Sequence, residues 1–130
     1  MNNEKQWLEK LIKALRFAGD KHRLQKRKDA DGTPYINHLL AVLDTLWTVG
    51  EVREPYTLVA SVLHDTLEDT DATPTEIESL FGKSILTIVQ ELTDDKSLPK
   101  EKRKELQVLN APHKSRSAKQ IKLADKISNV

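Results

Sequence analysis

Apolar residues recur every three or four positions along most of this chain, and this helical periodicity limits its possible folds more than any other feature. The spacing predicts helices over about 7–18, 35–47, 55–67, 73–81, 85–92, 99–109 and 118–130, separated by segments with Gly, Pro or polar residues. No segment alternates polar and apolar residues over the length of a strand. We therefore predict an all-α domain of six or seven short helices.

Two of these predicted helices carry particular signals. Thr73, Pro74 and Glu76 have the spacing of a capping box, with Gly82 closing the short helix that follows. In the last helix, Ile121, Ala124 and Ile127 are expected to face the core. Its apolar spacing continues to Val130 without a cap, which predicts that the chain stops inside an element.

The formal net charge of +1 hides a strong segregation of charge along the chain. Residues 1–30 have nine basic and four acidic residues, residues 31–95 have two and thirteen, and residues 96–130 have ten and three. This order suits a carboxylate-rich metal site between groups that receive an anionic substrate, and solvated helix faces of differing sign would also produce it.

The chain contains no cysteine, so disulfides and thiolate metal sites are excluded. Any transition metal must be held by histidine and carboxylate. The longest apolar runs, 39–43 and 58–63, fall far short of the roughly 20 residues that span a bilayer. The N-terminus lacks the apolar core of a secretory signal. We therefore expect a soluble cytoplasmic protein without membrane partners.

The string HDTLEDT at 64–70 is the densest group of potential metal ligands. In one continuous helix His64 would stack on Glu68, and Asp65 on Asp69, and a divalent cation would relieve the like-charge repulsion. A solvated acidic helix end could also explain the string. His38 and Asp125, at core edges of other helices, would complete a set of two imidazoles and two carboxylates suited to Mn, Fe or Zn.

Two histidines remain. His113 lies in a predicted loop beside Pro112 and is expected to be exposed. We expect His22 to be a surface residue or to support the site from behind its ligands.

Several longer segments resemble the HD-domain hydrolases of the RelA/SpoT family, and most closely the small stand-alone SpoT-like (Mesh-type) alarmone hydrolases. The matching segments are HRLQKRKDADGTPYINH at 22–38, LHDTLEDTD at 63–71, LTDDKSLPK with the following RKELQV at 92–108, APH at 111–113 and KLADKISN at 122–129. The resemblance covers nearly the whole chain and implies a helical HD-type domain over residues 1–130.

The resemblance also implies roles for individual residues. His38, His64, Asp65 and Asp125 match the four ligands of one metal ion, usually Mn²⁺. Glu68 and Asp69 match the acidic pair that positions and activates the attacking water. Contacts to the nucleotide are implied for Arg27, Lys28 and Asn129, with a weaker role near the phosphates for Tyr35 and Lys96. The implied reaction releases pyrophosphate from the 3′ position of (p)ppGpp, giving GDP or GTP.

Two departures from the family stand out: Leu39 replaces a usual proline, and the family continues with C-terminal helices after the KLADK motif. These helices complete the nucleoside pocket, so we expect the domain to be C-terminally incomplete. One alternative substrate is another phosphorylated nucleotide, such as the 2′-phosphate of NADPH. A catalytically silent module that binds nucleotide or metal is another possibility, which the intact Glu68–Asp69 pair argues against.

Two other classes of function fit the sequence poorly. The near-neutral charge and the lack of interleaved aromatic and basic residues argue against nucleic acid as a partner. An alarmone synthetase would need a separate domain, for which 130 residues leave no room.

Overall fold

A computed structural model describes residues 2–27 and 31–129, and helices dominate it. The elements are α1 (Asn2–Lys21), α2 (Ile36–Asp44) with a π-helical continuation (Thr45–Val49), α3 (Pro55–Leu63), α4 (Thr66–Asp69), α5 (Pro74–Phe81), α6 (Lys83–Glu91), α7 (Lys100–Asn110), a 3₁₀ turn (Ala111–His113) and α8 (Arg116–Ser128). Within those residues there is no strand, only an isolated bridge between Lys26 and Pro34. The predicted all-α class is confirmed.

The helix α3 forms the centre of the molecule. Every residue from Thr57 to Leu63 is buried, because α1, α2, α6 and α8 all pack around this helix. Pro55 at its first position and extended Glu54 before it set where the helix begins. No helix in the described ranges is both long and apolar enough to cross a membrane.

The predicted third helix is wrong in one respect, because it breaks after Leu63. His64 and Asp65 lie between α3 and α4, and regular bonding resumes with Asp69 N–H donating to the Asp65 carbonyl at 3.0 Å. Side chains form hydrogen bonds with the last carbonyl groups of α3. His64 Nδ1 lies 2.6 Å from Ser61 O, and Thr66 Oγ1 donates to Leu63 O at 2.7 Å. These local bonds compete with the backbone ladder and end the helix.

The caps of the shorter helices follow the sequence closely. Thr73 and Glu76 form the predicted capping box at the start of α5, with bonds of 3.0 and 3.2 Å. Gly82, with a φ of +96°, separates α5 from α6 in a conformation that side chains disfavour. Ser115 caps α8 by accepting from Ala118 N–H at 3.1 Å, so this helix begins two residues before the predicted Ala118.

The last helix also differs from its predicted inward face. Ile121 and Ala124 are buried as expected, but Ile127 is half exposed. At 100° per residue, Asp125 and Ser128 share the face of Ile121, whereas Ile127 lies on the flank. The helix itself ends at Ser128, with Asn129 as its C-cap, and Val130 is outside the described residues.

Candidate metal centre

Three helices bring two imidazoles and two carboxylates to one point. His38 comes from the first turns of α2, His64 and Asp65 from the break after α3, and Asp125 from α8. One donor atom from each of these four residues, here called the metal quartet, lies within 4.8 Å of the others. The set is the one that the sequence predicted as ligands, and that role stays a prediction.

Asp125 is the centre of the quartet's contacts. Its Oδ1 lies 2.7 Å from His38 Nε2 and 3.4 Å from His64 Nε2, while Asp65 Oδ2 lies 3.1 Å from His64 Nε2. Both imidazoles are buried, and the side chains of Asp65 and Asp125 are only 18% and 22% exposed. With neutral imidazoles the quartet has a net charge of −2, which favours a cation at this point.

The pKa values reflect this excess of negative charge. Burial alone would lower the pKa of His64, but hydrogen bonds to Asp125 and Asp65 raise it to about 10. Burial opposes the charged form of Asp125, yet its bonds to His38 and His64 lower its pKa overall. In the same way, His64 outweighs burial and lowers the pKa of Asp65. Without metal, these contacts favour a proton on His64, which offsets one of the two carboxylate charges.

Neighbouring groups that contact the quartet residues favour the binding of a divalent cation. His64 Nδ1 faces the Ser61 carbonyl at 2.6 Å, and His38 Nδ1 lies 3.1 Å from Ser128 Oγ. The Tyr35 hydroxyl donates to Asp65 Oδ2. Such outer contacts fix imidazole tautomer and carboxylate orientation in metal sites, leaving both Nε2 atoms for the ion. Two imidazoles with two carboxylates suit a divalent transition metal.

A cavity of about 390 Å³ opens beside the quartet and is lined in part by Arg27, Asp69, Lys96 and Asn129. We call these four residues the rim. Lys96 Nζ lies 2.5 Å from Asp69 Oδ1, and Arg27 Nη2 donates to Asn129 Oδ1 at 2.7 Å. The rim thus brings two cations to the mouth of the cavity. Tyr35 also lines it, and Lys28 lies outside the described residues.

Glu68 is placed differently from its neighbour Asp69. It does not line this cavity, and its Oε1 accepts a hydrogen bond from the Asp94 N–H at 2.8 Å. Burial raises the pKa of Glu68 despite this bond, and the nearby carboxylates of Asp94 and Asp69 add to the rise. Because the helix breaks at His64, the predicted stacking of Glu68 on His64 within one continuous helix is also wrong.

Of the two remaining histidines, one differs from expectation. His113 is exposed as predicted. His22 is only 2% exposed, so the surface alternative is wrong. Its ring lies 4.8 Å from the Tyr35 ring, and its Nδ1 lies 2.6 Å from Gln25 Oε1. His22 therefore supports Tyr35, which in turn contacts Asp65.

Reasoning from sequence missed Ser61 and Ser128 as supports of the imidazoles. Ser61 acts through its backbone carbonyl, which leaves no trace in residue type. Ser128 could have been found from its helical position, three residues after Asp125 and on the same face of α8.

Comparison with known proteins agrees with this architecture. The HD domain family matches residues 14–129. The ppGpp 3′-pyrophosphohydrolases named MESH1 from Danio rerio and Homo sapiens are each 51% identical over 120 residues, covering 92% of this chain and 67% of the relative. The chain therefore spans about two thirds of the length of these relatives.

A solved structure of similar fold agrees with these sequence matches. It is that of a metazoan ortholog of SpoT that hydrolyses ppGpp and plays a role in starvation responses. The TM-score is 0.89 at 47% identity, over 92% of this chain and 67% of that one. The chain belongs to the HD domain family and, within it, to the stand-alone SpoT-like hydrolases.

Proposed function

We propose that this chain is a Mn²⁺-dependent (p)ppGpp 3′-pyrophosphohydrolase, and that residues 1–130 form a single HD-type phosphohydrolase domain. The observation that carries the proposal is the metal quartet opening into one cavity with a cationic rim. We take ppGpp as the substrate from the names of the relatives, which are ppGpp 3′-pyrophosphohydrolases. In the reaction, one water and ppGpp give GDP and pyrophosphate, or GTP and pyrophosphate from pppGpp.

The quartet holds the ion in this proposal. His38 and His64 bind through Nε2, and Asp65 and Asp125 through carboxylate oxygens. A bound divalent ion polarises phosphoryl oxygens and lowers the pKa of bound water. Mn²⁺ accepts mixed nitrogen and oxygen ligands of this kind.

Glu68 and Asp69 handle the proton of the attacking water. Asp69 lines the cavity next to the quartet, which supports direct contact with that water. Glu68 does not itself line the cavity, and its raised pKa makes its carboxylate a stronger base than an exposed glutamate. In this proposal Asp69 orients the water, and Glu68 accepts its proton.

The rim receives the phosphates. Arg27 presents a planar guanidinium suited to phosphate or purine, and Asn129 orients it through the 2.7 Å bond. Lys96 brings a second cation to the cavity, which Tyr35 also lines. Lys28, adjacent to Arg27 in sequence, is proposed to add a further cation.

The test is release of pyrophosphate from ppGpp in the presence of Mn²⁺. We expect turnover by the wild type and none by His64→Ala or Asp125→Ala, while the exposed Lys104→Met variant keeps wild-type rates. If phosphate is released from NADPH faster than pyrophosphate is released from ppGpp, NADPH takes the place of ppGpp as the proposed substrate. Tight ppGpp binding without turnover would instead support a silent regulatory module.

A further inference from the structure

Lys96 reaches the cavity from a short turn, residues 94–98, that the chain builds from its own polar groups. Asp95 Oδ1 accepts from Ser97 N–H at 2.9 Å and from Ser97 Oγ at 2.5 Å. Leu98 N–H donates to the Asp95 carbonyl at 3.1 Å. These bonds fix the shape of the turn and leave the Lys96 side chain directed to Asp69.

The position of the turn depends on Asp94. Its backbone N–H donates to Glu68 Oε1 at 2.8 Å, and its Oδ2 accepts from Gln107 Nε2 at 2.6 Å. Asp94 thus joins the turn to α4 on one side and to α7 on the other. Both bonds involve a carboxylate and are of the stronger, charge-assisted kind.

Apolar packing does little to hold this part of the molecule. The helix α7 has no buried residue, and the Lys96 side chain is 51% exposed. An exposed ion pair such as Lys96–Asp69 contributes little to fixing a lysine by itself. The amide of Gln107 and the carboxylate of Asp94, both partly buried, are therefore the main polar anchor between α7 and the turn.

We propose that Asp94 and Gln107 are positioning residues that hold the turn 94–98, and with it Lys96, at the mouth of the metal cavity. The inference rests on the proposed function, in which Lys96 meets a substrate phosphate. When that phosphate arrives, Lys96 turns from Asp69 to the substrate while the anchored backbone stays in place. Neither Asp94 nor Gln107 contacts the reacting atoms.

The experiment compares Gln107→Met, which keeps length and removes the donor, with Lys104→Met on the exposed side of the same helix. We expect kcat/KM for ppGpp to fall about tenfold in Gln107→Met, the equivalent of one hydrogen bond to a charged group, and to stay unchanged in Lys104→Met. The affinity for Mn²⁺ should not change in either variant. Asp94→Asn, which keeps an oxygen acceptor, should lose less activity than Asp94→Ala.

A double variant tests whether the anchor acts through Lys96. Once Lys96→Ala has removed the ammonium group, adding Gln107→Met should slow the enzyme no further than about twofold, because coupled residues are not additive. A full additional tenfold loss in the double variant would overturn this part of the proposal.

Amide hydrogen exchange gives a readout that needs neither metal nor substrate. Gln107→Met should speed exchange at 94–98 and leave the amides of α3 unchanged, whereas general destabilisation would speed both. If the wild type is active and Gln107→Met matches it in rate and exchange, the anchor is rejected. If the wild type releases no pyrophosphate, the proposed function fails, and exchange at 94–98 alone decides for or against the anchor.

Discussion

The metal quartet and the rim border the same cavity but are held in place by opposite means. The quartet is set on α2, α8 and the end of α3, and its imidazoles are buried against the core. Each rim contact is a single polar pair near the surface, such as Lys96–Asp69 or Arg27–Asn129. The protein thus fixes the donors for a metal by packing and leaves the cations for a substrate free to adjust.

This contrast predicts how the two regions respond to mutation. A change in the quartet should affect both metal binding and folding stability, because its atoms are buried and share partners. A change in Arg27, Lys96 or Asn129 of the rim should affect the binding of substrate alone.

Asp125→Asn should have the largest effect. Asp125 contacts both imidazoles, so its loss leaves His38 and His64 buried without their carboxylate. Removing one partner of a buried charged group costs about 3–5 kcal/mol, so Mn²⁺ affinity should fall about 10²- to 10⁴-fold. Titration calorimetry with Mn²⁺ measures this, with the exposed neighbouring Lys126→Met as control. Unchanged affinity would remove Asp125 from the ligand set.

Tyr35→Phe should have the next largest effect. It removes only the hydroxyl that donates to Asp65 Oδ2, leaving the ring against His22. Loss of such an outer contact typically weakens metal binding about 10- to 100-fold. The same calorimetric titration checks it. If Mn²⁺ affinity holds and only KM for ppGpp rises, Tyr35 belongs with the rim and the division between the two regions must be redrawn.

The difference between the two regions also explains what the sequence could predict. Periodicity located the helices and the buried α3, because burial forces apolar residues into a repeating pattern. The four quartet residues could be proposed because His38 and Asp125 lie at the core edges of predicted helices and the family resemblance implies the same set, whose donor atoms lie within 4.8 Å of one another. Even here Ile127 was expected inward on grounds of residue type, while the geometry of α8 turns Asp125 and Ser128 toward His38 instead.

The contacts that support the rim leave no such pattern. Asp94 and Gln107 lie in polar segments 13 residues apart, and their bond depends on where α7 lies in three dimensions. The break at His64 has a similar origin, because side chains compete locally for the carbonyls of Leu63 and Ser61. Polar contacts of this kind follow from the fold and cannot be read from residue type.

Lys96→Met tests the rim itself. Lys96 is half exposed and pairs with Asp69 at 2.5 Å. Exposed pairs contribute about 0–1 kcal/mol, so the free energy of unfolding should change by no more than that. KM for ppGpp should nevertheless rise about tenfold, as for loss of one hydrogen bond to a charged phosphate. Steady-state kinetics and urea unfolding measure the two quantities. A fall in Mn²⁺ affinity would show that the rim and the quartet are not separate.

Asn129→Ala should have the smallest effect and is the sharpest test of the division. Asn129 caps α8 through its backbone, which the substitution keeps. Its side-chain Oδ1 accepts a hydrogen bond from Arg27 Nη2 at 2.7 Å. Without that acceptor, Arg27 must be ordered by the substrate, at about 0.5–1.5 kcal/mol for one long side chain, so KM should rise about twofold to tenfold. Stability should stay within about 0.5 kcal/mol, as for Lys126→Ala at the exposed neighbouring position. Because Asn129 lies only four residues from Asp125, a parallel loss of Mn²⁺ affinity would mean that α8 transmits changes at the rim directly to the quartet.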